Sequence, residues 1–352
     1  MICKIYQLES NTVIDNMSAD SSSSSLVTRY SLQTQHSACS VEHCHHPHHG
    51  HITAVGTYQL DQDTGSRHGQ IILVTLSSSA QFSSNIGVET SCGVLDMKWS
   101  GHETPVLAVA ESSGHLSLYR VTSELGLSCV TRVQVVESGL SLALEWSDDH
   151  RTVIVSDSGG HVTLFRLVND AALEQVTGIH GHGFEAWTVC LSKHDSNIFY
   201  SGGDDCKLNC YDVRVSESSA VRSNKSSHSM GVTSMICDQR RENILIAGSY
   251  DEHVRVWDVR NIKYEQQCWS VGGGVWRIKP HNENPDLLLI AAMHDGFKIL
   301  DHGDIVQEYR EHESLAYGAD WVTAMKVDDE NTQFVATCSF YDKMFKVWSY
   351  SS

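Results

Sequence analysis

Seven short segments recur along this chain at almost one fixed interval. They are ILVTL (71–75), LSLYR (116–120), VTLFR (162–166), LNCYD (208–212), VRVWD (254–258), FKILD (297–301) and FKVWS (345–349). The place that Trp257 holds in the fifth segment is held in the others by Thr75, Tyr119, Phe165, Tyr211, Leu300 and Trp348, at steps of 44, 46, 46, 46, 43 and 48 residues. Alternating apolar runs such as TSMICD (233–238) and NILIAG (243–248) precede them, and period-2 alternation reads as strand. A repeat of this length is one four-stranded unit. A single unit cannot bury both of its faces. Seven packed radially can, and closing the circle leaves only short, protected edges.

The turns agree with this reading. SGGDD (201–205), AGSYD (247–251), AAMHDG (291–296) and TCSFYD (337–342) each put small residues and an Asp before one of the segments. Asp favours such turns because its carboxylate accepts from nearby backbone amides. With the Tyr-Asp and Trp-Asp endings, these features predict an all-β chain, a seven-bladed WD40 β-propeller. One domain spanning 1–352 is expected. Residues 17–53, with the serine run Ser21 to Ser25, are expected to be loop or low-complexity sequence. Residues 3–16 are expected to supply a strand that closes the ring against Phe345–Trp348.

Composition narrows the function. The net charge of −18 argues against nucleic acid as a direct ligand, since phosphate neutralisation needs a basic surface, and leaves room for a cationic partner. No run of about 18 apolar residues marks a membrane span, and the first residues carry no secretory signal. Eleven cysteines without framework spacing fit thiols in a reducing cytoplasm, and a cytoplasmic monomer is expected.

Several motifs invite chemistry and are weighed against plainer readings. HCHHPHHGH (43–51) crowds possible zinc ligands but lacks a second cluster, so it reads as a low-complexity loop, with no resident metal or cofactor expected. GHGFEA (181–186) fits G-x-G-x-x-A in form, but a propeller strand follows it where a dinucleotide site needs a helix. Asp205, Asp251, Asp295 and Asp342 occupy one blade position, and repetition marks scaffold. Tyr211-Asp212-Val213-Arg214 and Trp257-Asp258-Val259-Arg260 are similar to the docking motif of WD40 substrate receptors of cullin-type ubiquitin ligases. In the plainer reading each Arg pairs with a neighbouring carboxylate.

Function is expected where equivalent blades differ. The residue before the turn Asp is Asp204, Tyr250, His294 or Tyr341, and the residues entering the innermost strands include Glu185, Met230, Gly274 and Tyr317. In a propeller these side chains should surround one end of the axial channel, as a polar and aromatic pocket. A solvated loop rim is the plainer reading of any single one.

Some stretches go beyond the repeat. FEAW (184–187), YSGGDD (200–205), HSMGV (228–232), GSYDEHVRVWD (248–258), GGVWRIK (273–279), MHDGFKIL (293–300), YGADW (317–321) and ATCSFYD (336–342) resemble the diphthine methylesterase family, also called diphthine methyltransferase. The resemblance runs from about residue 54 onward. It implies hydrolysis of the methyl ester of diphthine methyl ester on elongation factor 2, a step of diphthamide biosynthesis. That arm carries a trimethylammonium group. The chemistry then needs an attacking group, donors for the oxyanion and a grip on the cation. His294 is the candidate base, because a histidine ordinarily titrates near neutrality. Asp204 or Glu185 would orient it. Tyr250 and Tyr341 are candidate oxyanion donors, and Tyr317, Trp187 and Trp276 a candidate aromatic cage. Cys338 or Ser339 is the alternative, covalent nucleophile, although its strand-like setting favours burial. The competing function is a non-catalytic WD40 adaptor acting through Arg214 and Arg260.

Overall fold

In the computed structural model, residues 26–76, 81–102, 104–169, 172–215, 219–322 and 332–351 are described. They form seven four-stranded antiparallel sheets arranged as a propeller. Blade 1 runs from Ser37 to Thr90, blade 2 from Val94 to Gln134, blade 3 from Ser141 to His180 and blade 4 from Thr188 to Asn224. Blade 5 runs from Val232 to Ser270 and blade 6 from Arg277 to Tyr309. Blade 7 joins the last three strands, Ala316–Trp321, Thr332–Ser339 and Met344–Ser351, to the first, Val27–Gln33.

The ring-closing strand is therefore Val27–Gln33, which takes the place expected of residues 3–16; those lie outside the described residues. Thr28 pairs with Trp348 and Leu32 with Phe345. Tyr30 and Leu32 turn inward onto the core that contains Phe345 and Val347, and Tyr30 stacks on Phe82 of blade 1. The expectation of loop over 17–53 is corrected as well. Within it lie Val27–Gln33, the wholly buried strand Ser37–His43 and the start of Ile52–Leu60. Ser37–His43 holds small and polar residues (SACSVEH), so no apolar alternation announces it; burial comes from the blades on either side and from the axis.

The seven recurring segments prove to be third strands. In blades 1 to 6 a further outer strand follows each, such as Phe82–Thr90 or Asp304–Tyr309. Those outer strands are mostly exposed on both faces, so hydrophobic patterning does not mark them. The third strands repeat so clearly because their aromatic position is the packing centre. Trp257, Trp348 and Tyr211 are buried and pack between neighbouring sheets.

Ring closure gives a stability test. Replacing both Tyr30 and Leu32 by Ala removes the inward face of the closing strand, and the cost should be about 2–4 kcal/mol. Val306→Ala, on the exposed outer strand of blade 6, should stay within about 0.5 kcal/mol. Denaturant unfolding of the three proteins checks this, and equal stabilities would show that the closing strand contributes nothing.

Candidate functional site

Two side-chain systems stand out beside the inner strands, one built of hydrogen bonds and one of aromatic rings. In blade 4 the Asp205 carboxylate meets His182 Nδ1 at 2.8 Å, His182 Nε2 meets Ser201 Oγ at 2.6 Å, and Ser201 Oγ meets the Tyr211 hydroxyl at 3.1 Å. Burial by itself would raise the Asp205 carboxyl. Donors from His182, Lys207 and the Gly183 amide outweigh it and hold the group below the usual carboxylate range. Blade 7 uses the same residue types in another order: Ser339 Oγ faces His312 Nδ1 and donates to Asp342, and His312 Nε2 meets Thr337. These networks pin the turn to the strand behind it.

Ser339, offered above as a nucleophile, belongs to this scaffold. Ser339 is fully buried, and its hydroxyl donates to Asp342 while facing His312 Nδ1. A hydrolase triad has the imidazole in the middle. Here the serine is in the middle, so no base stands between it and the carboxylate. Cys338 is equally poor as a nucleophile: it is fully buried, and burial pushes its thiol up to about 12.

The second system is aromatic. Trp187, Trp276 and Tyr317 line one axial pocket, together with Cys39, Tyr58, Leu95, Leu142, Ala143, Thr233, Arg277 and Phe340. Six blades contribute at least one of these residues, and Trp187 leads directly into the first strand of blade 4. The rings of Trp187 and Trp276 meet edge to face at 5.8 Å, and Trp276 stacks on Tyr317 at 4.7 Å. Tyr250 packs against both tryptophans at 6.3 and 6.0 Å, and Phe340 extends the series from Tyr317. Gly274 permits this approach: a Cβ there would lie 2.9 Å from Met293 Sδ and 3.4 Å from the Tyr250 ring.

Asp204 is half-buried beside this cluster, and its Oδ1 accepts from Trp187 Nε1 at 3.0 Å. The carboxylate suggested as a partner of His294 thus holds an indole in place. Glu185 is half-buried in the same turn, where its carbonyl accepts from the Asp204 amide at 2.8 Å. His294 is exposed and follows Met293, which packs with Tyr317 and Phe340; His294 itself is not among the residues lining the pocket. Tyr341 and Met230 are exposed, and the Tyr341 ring meets Phe340 edge-on at 5.2 Å.

The sequence reading missed Arg277, Tyr58 and Phe340. It also missed a charged layer along the channel, where a second cavity shares Ala143 and Arg277 with the first. Asp96 is bridged by Arg277 at 3.1 Å and Lys98 at 3.6 Å, and Asp320 by Lys279 at 3.1 Å. Lys279 also meets Glu42, and Lys193 meets Glu145 at 2.8 Å. Burial would raise the Asp96 and Asp320 carboxyls, but the facing cations and backbone donors keep both low. The signal was present as charges inside short apolar runs: DMKW (96–99), ALEW (143–146), WRIK (276–279) and GADW (318–321).

The remaining motifs are structural or open to solvent. Residues 44–51 form a tight turn after the Ser37–His43 strand. No group of three or more His, Cys, Asp and Glu is arranged to hold a metal ion among the described residues. Arg214 and Arg260 each fold back onto their own turn carboxylate, Asp212 and Asp258, at 2.7 and 2.6 Å. No helix among the described residues is long and apolar enough to cross a membrane.

The sheets and the axial site define a WD40 propeller with an aromatic pocket at one end of its channel, and residues 173–212 and 221–258 match the WD domain, G-beta repeat family. The chain is 34% identical over 308 residues to the diphthine methyltransferase of Schizosaccharomyces pombe, covering 84% of this chain and 90% of that protein. It is 36% identical over 342 residues to the diphthine methyltransferase of Mus musculus, covering 86% of this chain and 71% of that protein. The Homo sapiens protein of the same name is 35% identical over 335 residues, covering 82% of this chain and 73% of that protein. The chain belongs to the diphthine methyltransferase family.

The buried imidazoles make the scaffold pH-sensitive. Burial lowers His312 and His43 to about 3 and His228 to about 4, from an ordinary value of 6.5. Each stays neutral when folded and takes up a proton when unfolded, so its contribution is complete above pH 6.5 and is lost as pH falls toward 3–4. Between pH 6.5 and 5 each histidine should cost up to ~2 kcal/mol. Urea unfolding across that range should show stability falling with pH, less steeply in His312→Asn. A flat profile would count against buried neutral imidazoles.

Proposed function

We propose that this protein hydrolyses the methyl ester of diphthine methyl ester on elongation factor 2, giving methanol and diphthine. The observation that carries the reading is the convergence of Trp187, Trp276 and Tyr317 on one axial pocket. Aromatic faces attract a trimethylammonium group through their quadrupoles, at about 0.5–2 kcal/mol per ring. The names of the relatives supply diphthine as the substrate class. The direction of the reaction, removal of methyl rather than its addition, rests on the motif resemblance. The net charge of −18 supports a cationic substrate arm, and the location proposed is the cytoplasm, with the protein acting as a monomer.

In the reaction, water attacks the ester carbonyl carbon and the carbonyl electron pair moves onto oxygen. The tetrahedral species collapses, methoxide leaves and takes up a proton, and the carboxylate of diphthine remains. His294, exposed on the turn beyond Met293, is the proposed base that takes the proton from water, reaching the ester from the pocket mouth. Asp204 acts one step away, by fixing the Trp187 indole. Glu185 stands in the same turn, and Tyr250 and Tyr341 are the proposed hydroxyl donors.

Incubation with ester-bearing elongation factor 2 should remove about 14 Da from its intact mass, as ester-to-acid chemistry requires. No mass change would end the hydrolase proposal. His294→Ala and His294→Gln should each slow turnover by about 10²–10⁴ while stability stays within about 1 kcal/mol. Trp276→Ala should raise KM by roughly tenfold through lost cation–π contact. Cys338→Ser should keep its rate, since the thiol is buried and protonated. Near-normal turnover in both His294 variants would remove that residue from the mechanism. A folded but inactive Cys338→Ser would favour covalent attack.

A further inference from the structure

The aromatic pocket accounts for a quaternary ammonium but not for the carboxyl group beside it. In the proposed substrate the trimethylammonium nitrogen and the ester carbonyl are attached to the same carbon. A pocket that selects this group needs an aromatic cage and a hydrogen-bond donor side by side.

Of the described residues lining the pocket, Arg277 alone carries a charge. It follows Trp276 directly in the chain, so the cage and the guanidinium spring from adjacent backbone positions. Three other polar groups in the lining are committed to partners within the protein. Trp187 Nε1 donates to Asp204, the Thr233 hydroxyl to the Gly248 and Val275 carbonyls, and the Cys39 thiol to the Val94 carbonyl at 2.7 Å. The Cys39 thiol is held well above its ordinary value by burial.

Arg277 is also held firmly. Its side chain is 16% exposed, and its Nη2 lies 3.1 Å from Oδ1 of Asp96, whose side chain is 2% exposed. Asp96 in turn accepts from the Leu144 amide at 3.2 Å and faces Lys98. A guanidinium has five donors in a planar fork, and an ion pair along one edge leaves the other edge directed elsewhere. Because Arg277 lines both the aromatic pocket and the charged cavity, it stands at their boundary.

We infer that Arg277 is a catalytic and specificity-determining residue whose guanidinium binds the carbonyl oxygen of the ester, making the pocket a site for α-trimethylammonium carboxyl groups, a betaine site. This deepens the hydrolase reading and rests on it for the reaction, though not for the binding. Asp96 is the positioning residue. As water attacks, charge develops on the oxygen facing Arg277, in a site shielded by the cage. Removing such a donor ordinarily costs about 10²–10³ in kcat.

The experiment has a binding arm and a rate arm. Intrinsic tryptophan fluorescence, with Trp187 and Trp276 in the pocket, follows titration with glycine betaine and with tetramethylammonium. The wild-type protein should prefer glycine betaine by about tenfold or more, as expected for a hydrogen bond to a charged group. Arg277→Met should bind tetramethylammonium as before and lose that preference. On ester-bearing elongation factor 2 its kcat should fall by about 10²–10³, with KM changed little. Arg277→Lys keeps a cation beside Asp96, so it tests the same point if the Met variant fails to fold; it should lose most of the rate. A wild-type rate in Arg277→Lys or Arg277→Met, a betaine preference that survives in the Met variant, or no preference in the wild type overturns the assignment. If the wild type prefers betaine but hydrolyses nothing, the hydrolase reading falls and the betaine site stands.

Discussion

Everything at the channel depends on the pairing of Val27–Gln33 with Met344–Ser351. The pocket takes side chains from six blades and from the entry to blade 4, so it exists only when the blades stand at their closed spacing. A backbone ladder at the outer edge of blade 7 thereby fixes the distance between Trp187 and Trp276 at the entries to blades 4 and 6. The contact of Thr28 Oγ1 with the Tyr309 hydroxyl at 2.8 Å ties the same strand to blade 6. Closure replaces an open edge with a paired one, which is the general solution of propellers to unpaired strands.

Inside that ring, similar residues serve opposite ends. The His182, Ser201 and Asp205 set is buried and self-satisfied and gives the turns their shape. The charged layer holds the inner strands together through alternating acids and bases, and every ion named there has a partner. Breaking one such buried pair strands the other ion, which is costly, whereas the pair itself adds little net stability. Its value to the molecule is positional: Asp96 fixes one edge of Arg277 and thereby aims the other.

The blades were legible because packing repeats. Trp257, Trp348 and Tyr211 occupy one buried position, so sequence periodicity reports a real spatial period. The closing strand was placed too early because the alternation of VTRYSLQ is weak: Thr28 and Arg29 interrupt it, and only Tyr30 and Leu32 face inward. Ser37–His43 was invisible for the converse reason, since it is buried on every side and shows no period at all. In the site, the divergent turn positions Asp204, Tyr250, His294 and Tyr341 do not line the pocket, whereas its aromatic members Trp187, Trp276 and Tyr317 stand in FEAW, GGVWRIK and YGADW. Arg277 stood within GGVWRIK and was passed over, because charge on a strand reads as surface unless the channel beside it is known.

The closing ladder also sets an order of events during synthesis. Val27–Gln33 leaves the ribosome well before its partner and must wait for Met344–Ser351 to be made. At ordinary elongation rates that wait is on the order of tens of seconds. Throughout it blade 7 does not exist, and the strand destined for it travels with its N–H and C=O groups open to any passing edge. The charged, exposed Arg29 makes that orphan strand a poorer template in the meantime. The molecule thus acquires its pocket in one late step, and a nascent chain, however many blades it has folded, has nothing with which to hold the substrate.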